Sequence, residues 1–494
     1  MLVTVAEGGV AVAQDNRGFQ GPAMTQYEQL ADEIHALIRS GSLRVGDRLP
    51  SVRQSAERRQ ISQSTVFQAY YLLESRGVIE ARPRSGYYVL PRLQEALQGP
   101  EASRPPLQPQ AVAINDLVVE MLNLARRPDV VPLGSAFPDP ALFPLERLTR
   151  SLGTALRRLP PQRLIEDLTA GHLRLRQQIA QRYAKDGVHA EVDEIVITNG
   201  AMDALNLSLQ AVTQPGDGVA LESPTFYAPL QAIERLKLRA VHLPTRPGEG
   251  VDLAALEAAL ASGQVQACWF MPNFQNPLGA LMPDERRPQL AALLARYRVP
   301  LIEDDVYGEL YSGAHKPRPV KALDREGWVI HCSSFSKTLA PGYRVGWVAA
   351  GRWTRDVERL KVMSSLSASV PPQAAISDYL AQGGYDLHLR RLRQELALRR
   401  DAMVDAIAES FPAGTRVTHP QGGYFLWLEL SPRVDALVLM RQALQAGVSL
   451  MPGPLFSADG RFSHCIRLNY GAAAPHDLTR ATHVLGALVC EAVG

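Results

Sequence analysis

Hydrophobic and polar positions fall into two rhythms along the chain. Over residues 25–90 the rhythm is helical. In "QYEQLADEIHALIRSGSL", Leu30, Ile34, Leu37 and Ile38 recur at helical spacing, which predicts an amphipathic helix that stops at Gly41. Ser51, behind Pro50, starts a second helix in "LPSVRQSAERRQ". Ser62 starts a third in "ISQSTVFQAYYLLESRG", with Val66, Ala69, Tyr70 and Leu73 facing inward and Gly77 closing it. Two short strand-like runs in "GVIEARPRSGYYV" then flank Pro83–Gly86. A short helix, a tight turn and a capped helix make a helix-turn-helix, and the two runs make a β-wing with arginines at its tip.

From about residue 129 onwards the rhythm changes. Apolar strand-like runs ("EIVITNG", "GVALESPTF", "QACWFMPNF", "VPLIEDDVY", "GWVIHCSSF") alternate with amphipathic helical runs. That alternation argues an α/β domain around a mostly parallel sheet, with ligand chemistry gathered at the carboxyl ends of the strands. Residues 91–128, rich in Pro, Gln and Ala, suit a linker. Residues 1–24 lack a basic start and carry Glu7, so they read as a disordered leader, not a signal peptide.

Composition narrows the picture modestly. A chain of 494 residues suggests roughly three units with a substantial core. Its formal net charge of +2 does not by itself announce nucleic acid. Cys268, Cys332, Cys465 and Cys490 stand far apart with no CxxC, which argues against a disulfide framework or a metal site and for a reducing cytoplasm. No apolar run reaches membrane-spanning length, so no membrane partner is expected.

The candidate chemistry lies in the polar clusters that follow the apolar runs. "SSFSKTLAPGYRVGW" places Lys337 at the end of a buried strand, although desolvating an ammonium is costly. Gly200 sits at a strand-to-helix turn whose free amides suit a phosphate, although a plain β–α turn looks the same. Glu303, Asp304 and Asp305 follow another strand. A solvated acidic loop is the commoner reading of such a run, yet Asp304 and Tyr307 share a DxxY spacing. "FQNPLG" adds Asn276, and "ESPTFY" adds Phe226. The SxxK of penicillin-binding enzymes is the rival reading of Ser334–Lys337, but neither SDN nor KTG occurs.

Asn-Pro-x-Gly, Asp-x-x-Tyr and Ser-x-x-Lys with a later basic residue, in that order, resemble the fold-type I aminotransferases. That resemblance spans residues 129–494, with a smaller C-terminal α+β part over about 360–494, and implies pyridoxal 5′-phosphate (PLP) as cofactor. It implies that Lys337 forms the Schiff base, that Asp304 pairs with the pyridine nitrogen, and that Asn276 and Tyr307 bond the phenolic oxygen. Phe226 would stack on the ring. Gly200, Ala201, Met202, Ser334 and Arg344 would hold the phosphate, and Arg467 the substrate carboxylate. Glu166 stands where relatives usually carry a tyrosine that reaches the neighbouring subunit's phosphate, and Ala136 where many have glycine.

The N-terminal "GDRLPSVR…ISQSTVFQAYYLLESRGVI…RPRSGYYV" is similar to the winged helix-turn-helix of the GntR superfamily. By that resemblance Arg53, Ser62, Gln63, Ser64, Thr65, Arg84, Ser85 and Gly86 contact double-stranded DNA, with Arg82 beside them on the wing. Relatives often have arginine where Gln63 stands, and glutamine bonds adenine instead. A GntR-type reader joined to an aminotransferase-like domain is the MocR-type arrangement. It implies a homodimeric transcriptional regulator that answers to PLP, an amino acid or an amine. The alternative is a working aminotransferase with an accessory DNA-binding domain.

Overall fold

The computed structural model describes residues 25–39, 43, 46–75, 78–82, 85–89, 97–114, 118–119 and 129–494. The chain divides into two compact units, Met1–Ala96 and Leu97–Gly494.

In the first unit the helices are α1 (Gln26–Arg39), α2 (Val52–Arg59) and α3 (Gln63–Ser75). Strand β1 (Ile79–Arg82) pairs antiparallel with β2 (Gly86–Val89), so that Ile79 faces Val89 and Arg82 faces Gly86. The two expected caps form. Ser51 Oγ accepts from the Gln54 amide at 3.3 Å while Gln54 Oε1 accepts from the Ser51 amide at 3.1 Å, a reciprocal capping box. Ser62 Oγ accepts from the Thr65 amide at 3.1 Å and starts α3. Val66, Ala69, Tyr70 and Leu73 are fully buried, as their spacing requires. The Tyr70 hydroxyl donates to the Pro50 carbonyl at 2.8 Å and Ser55 Oγ lies 3.1 Å from it, so the polar tip of this core ring is satisfied. Leu37 departs from expectation and is 41% exposed. The buried stripe of α1 runs through Leu30, Ala31, Ile34 and His35, which turns it away from Leu37. The expected helix stops at Gly41 and Gly77 lie outside the described residues.

The second unit is built on an eight-stranded sheet. Its strands are β3 (Ile195–Thr198), β4 (Gly218–Ser223), β5 (Arg239–Arg246), β6 (Gly250–Val251), β7 (Ala267–Phe270), β8 (Leu301–Asp304), β9 (Val329–Ser334) and β10 (Gly346–Ala349). They lie in the order β3-β10-β9-β8-β7-β4-β5-β6. The run from β9 to β5 is parallel, whereas β10 and β6 are antiparallel to their neighbours. Helices cover both faces, so β3, β4, β7, β8 and β9 are buried at every position, apolar at their starts and polar at the carboxyl ends of β4, β8 and β9. A smaller antiparallel sheet joins β11 (Arg416–Val417), β12 (Phe425–Glu429), β13 (Met451–Pro452) and β14 (Cys465–Asn469) in the order β11-β12-β14-β13. The helices Gly384–Ser410 and Pro475–Val493 pack against each other beside it.

Part of the stretch read as a linker is docked. Residues 97–114 run along the second unit: the Gln98 carbonyl accepts from the Val417 amide at 2.8 Å, and Gln110 exchanges two hydrogen bonds with Ala240 at 2.8 and 2.9 Å. Arg416 pairs with Glu101 at 2.8 Å. A proline-rich chain cannot satisfy its backbone groups in a helix of its own, so it borrows partners from both sheets. The leader and residues 91–96, 115–117 and 120–128 lie outside the described residues. All four cysteines are free. Among the described residues no helix is long and apolar enough to cross a membrane.

Candidate functional site

The carboxyl ends of the parallel strands meet around one cavity of about 200 Å³. Its first wall is the turn after β3. Gly200, at φ +88°, caps the helix Ala201–Val212 without any side-chain hydrogen bond. The first amides of a helix have no intrahelical partner and carry the positive end of its dipole. A Cβ on Gly200 would collide with the Arg344 guanidinium, and a Cβ on Gly346 would stand 2.5 Å from the Gly200 carbonyl carbon. Two glycines therefore let β10 and Arg344 press onto the turn. Arg344 Nη2 donates to the Asn199 carbonyl at 3.1 Å, and Nη1 donates to Ser336 Oγ at 3.3 Å. The result is a concave group of amides and one guanidinium, which suits a phosphate.

Lys337 and Asp304 face the same cavity from the ends of β9 and β8. The Lys337 ammonium donates to the Ala136 carbonyl at 2.7 Å and lies 3.8 Å from the centre of the Phe137 ring. Burial, reinforced by the positive charges of Arg467 and Arg344 and opposed by Asp304, lowers its pKa to about 7. Asp304 is buried, and burial together with the charge of Asp305 raises its pKa to about 7. Asp304 Oδ1 has no hydrogen-bond partner in the protein. The Trp269 indole and the Val306 amide act on this carboxylate and partly offset the rise, and a protonated ring nitrogen in the cavity that Asp304 lines would be a further, charged donor.

Ala201, Met202, Phe226, Tyr307 and Ser334 complete the wall. Tyr307 packs edge-on against Tyr424 at 5.3 Å, and burial raises its pKa above the usual phenol value. Asn276 and Arg467 stand behind this wall instead of in it. Arg467, fully buried on β14, donates through Nη1 to Asn276 Oδ1 at 3.3 Å and through Nη2 to the Gly134 and Ser135 carbonyls at 2.6 and 3.2 Å. Its Nε and the Asn276 side-chain nitrogen have no partner. The Glu166 side chain lies outside the described residues.

The first unit carries the second predicted site. Arg53 is 80% exposed on its side chain and pairs with Glu57 at 3.0 Å, an ion pair worth little in water. Gln63 and Ser64 are exposed at the start of α3, which has no acidic residue in its first turn, and Thr65 is half-buried. Ser62 Oγ also meets Ser64 Oγ at 2.8 Å and Thr65 Oγ1 at 2.7 Å. On the wing, Gly86 adopts φ +104° and Ser85 Oγ lies 2.5 Å from the Tyr88 hydroxyl. The Arg82 guanidinium stacks 4.5 Å from the Tyr88 ring centre. Arg84 lies outside the described residues.

Residues 166–485 match the family "Aminotransferase class I and II", and residues 26–89 match "Bacterial regulatory proteins, gntR family". The "Uncharacterized HTH-type transcriptional regulator YdcR" of Escherichia coli (strain K12) is 49% identical over 95% of this chain and 100% of its own. This chain belongs to the MocR type: a gntR-family domain joined to a class I and II aminotransferase domain. Solved structures agree with the second half of that statement. The kynurenine aminotransferase of Pyrococcus horikoshii, in complex with PMP, covers 76% of this MocR-type chain and 95% of its own at 32% identity, with a TM-score of 0.72. LysN, the α-aminoadipate aminotransferase of Thermus thermophilus, complexed with N-(5′-phosphopyridoxyl)-L-leucine, covers 76% and 95% at 29% identity, with a TM-score of 0.70.

Motif reading of the MocR-type chain missed several residues of the cavity. Phe137, Tyr227, Gln231 and Met271 line it. Tyr424 donates to the same Ala136 carbonyl that Lys337 uses, at 3.0 Å. The Gly422–Gly423 pair before Tyr424 was the available signal, since Gly422 lies against the Phe274 ring with no room for a Cβ.

Proposed function

We propose that this chain is a DNA-binding transcriptional regulator whose aminotransferase-like unit binds PLP and responds to PLP or to an amino-compound. One observation carries the reading: a gntR-family reader and a cleft lined by both Lys337 and the buried carboxylate of Asp304 occur on the same chain. Its named relatives support it, since YdcR is described as a transcriptional regulator.

PLP, when bound, supplies an aldehyde for an amine and an electron-withdrawing ring. Lys337 is the amine in this reading, and its depressed pKa leaves it nucleophilic near neutral pH. Asp304 meets the ring nitrogen, while Phe226 packs on the ring face. The Gly200, Ala201 and Met202 turn, with Ser334 and Arg344, takes the phosphate. Tyr307 and Asn276 orient the phenolic oxygen, although Asn276 must turn its free amide nitrogen toward the cavity to do so. Arg467 takes a carboxylate of the effector, exchanging it for the Gly134 and Ser135 carbonyls that it bonds here. Arg53, Ser62 to Thr65 and the wing at Arg84, Ser85 and Gly86 read DNA. A homodimer suits both tasks, because aminotransferase-like domains generally dimerise and two readers match two half-sites.

An active aminotransferase is the second reading, favoured by the joint presence of Lys337, Asp304, Tyr307 and Arg467. Footprinting at fixed salt with PLP-free, PLP-loaded and amine-loaded protein separates the two. The regulator reading expects operator affinity or footprint to change with ligand, by the 5–150-fold range (about 1–3 kcal/mol) usual for coupling. It also expects Lys337→Ala to lose the response while keeping basal DNA binding. Identical footprints in all states across a broad amine panel, alongside turnover, would favour the enzyme.

A further inference from the structure

A line of buried polar side chains behind the cavity has no part in the cofactor reading. Glu303 is paired with His331 across β8 and β9, and Asp304 with Cys332. Side chains alternate along a strand, so Glu303, Asp305 and His331 lie on the sheet face away from Asp304. Tyr183, on the helix Leu173–Lys185, and the indole of Trp347 on β10 reach the same place.

An ionised Asp305 and a neutral His331 ring set the direction of this line. An indole N–H can only donate, and Trp347 Nε1 gives its hydrogen to the Tyr183 oxygen at 2.8 Å. The Tyr183 hydroxyl then donates to His331 Nδ1, 2.8 Å away. With Nδ1 accepting, the neutral ring carries its hydrogen on Nε2, which lies 3.1 Å from Asp305 Oδ2. Asn273 Nδ2 donates to Asp305 Oδ1 at 2.9 Å. Every hydrogen in the chain points toward Asp305, and both of its oxygens are acceptors.

We propose that the Trp347–Tyr183–His331 relay holds Asp305 as a second carboxylate beneath Asp304, so that two negative charges stabilise the protonated ring nitrogen of bound PLP. His331, Tyr183 and Trp347 are positioning residues that act through Asp305. The inference rests on the PLP reading. Asp305 is one of the groups that raise the pKa of Asp304, second only to burial. The other titratable groups that feel Asp305 are Glu303, two residues before it, Tyr183, Lys316 and Arg287. Lys316 is already neutralised by Asp186 at 2.6 Å and Glu309 at 3.1 Å, and Arg287 is paired with Asp284 at 3.2 Å. Both still attract Asp305, so they offset only part of its charge. In a buried site that charge is weakly screened and reaches the next residue's partner.

The test is a pH titration of the visible absorption band of the full-length protein loaded with PLP, together with the fraction of PLP retained after dialysis. Asp305→Asn removes one negative charge, so the midpoint of the titration should fall by about one pH unit. Tyr183→Phe keeps the ring but removes the hydrogen bond that orients His331, so Asp305 is no longer held beneath Asp304. Its midpoint should therefore fall in the same direction. Residues that merely fill space would lower thermal stability in both variants and leave the midpoint where it is in the wild type, and that result overturns the inference. A wild-type protein with no visible band in PLP would overturn the cofactor reading itself, and this inference with it.

Discussion

The Lys337 ammonium and the Ala136 carbonyl meet at 2.7 Å from positions 201 residues apart in the chain. A single neutral acceptor and an aromatic face are poor compensation for a charge held out of water, and the pKa of about 7 follows. Because the pKa is depressed, the neutral amine gains population as pH rises through about 7, far below the usual lysine value. The rate of PLP capture, followed by the visible band, should therefore rise across pH 6–8 and level off above it. Borohydride should fix the cofactor on Lys337, and Lys337→Ala should abolish both the band and the fixation. Fixation on another lysine would refute the assignment.

Asp304→Asn keeps the shape of the site and removes the charge that faces the cavity. A charge-assisted hydrogen bond is worth about 1.5–3 kcal/mol. PLP should dissociate roughly 10–100-fold more readily, measured by equilibrium dialysis. Retention equal to the wild type would show that the cofactor does not meet this carboxylate.

Gly200→Ala tests the turn. The new Cβ meets the Arg344 guanidinium at a backbone angle of φ +88°, so either the turn or the arginine must move. The strain is on the order of 1–3 kcal/mol. Loss of PLP retention should exceed loss of thermal stability if the turn holds the phosphate.

Arg53→Ala should weaken binding to an operator selected from random duplexes, and the slope of log affinity against log salt should shrink by about one if Arg53 meets a phosphate. Changes at Gln63 should instead alter preference at one base pair by about 1–3 kcal/mol, read from a panel of single substitutions. A titration unchanged by Arg53→Ala removes this residue from the interface.

Glu222 predicts a pH effect on stability. It is buried on β4, accepts from the Met271 amide at 2.9 Å, and burial raises its pKa to about 8. The folded state therefore binds this proton more tightly than the unfolded state. Its contribution is intact below about pH 4.5 and is lost as pH rises toward 8. Glu222→Gln should remove that decline and unfold at higher denaturant than the wild type at pH 8–9, by on the order of 1–3 kcal/mol. Parallel stability curves for the two proteins would contradict the assignment.

Lys337, Asp304 and Tyr307 were legible because each follows a strand in a short motif, and strand ends in such folds converge. Arg467 was legible as a strand residue, but its surroundings were not. They come from Gly134, Ser135 and Asn276, which no spacing connects to β14. The relay to Asp305 was invisible for the same reason, since Tyr183, His331 and Trp347 sit on three elements and none belongs to a motif. Leu37 misled because helical spacing gives the width of an apolar stripe and not the direction in which a neighbour presses on it. Residues 97–114 read as a tether because proline excludes helix, and composition carries no record of the sheet edges that took up its backbone.

Lys337 and Arg344 lie on the connection between β9 and β10, whose register sets Ser334 opposite Gly346. The span between amine and guanidinium is thus fixed by how many residues the connection holds, as the gap of a caliper is set by its jaws. Substitution within it changes one contact, whereas deleting a single residue would shift either Lys337 or Arg344 out of step with Gly200. Loop length is itself a component of this site, and a one-residue deletion there should cost more cofactor than any single side chain on the loop apart from Lys337.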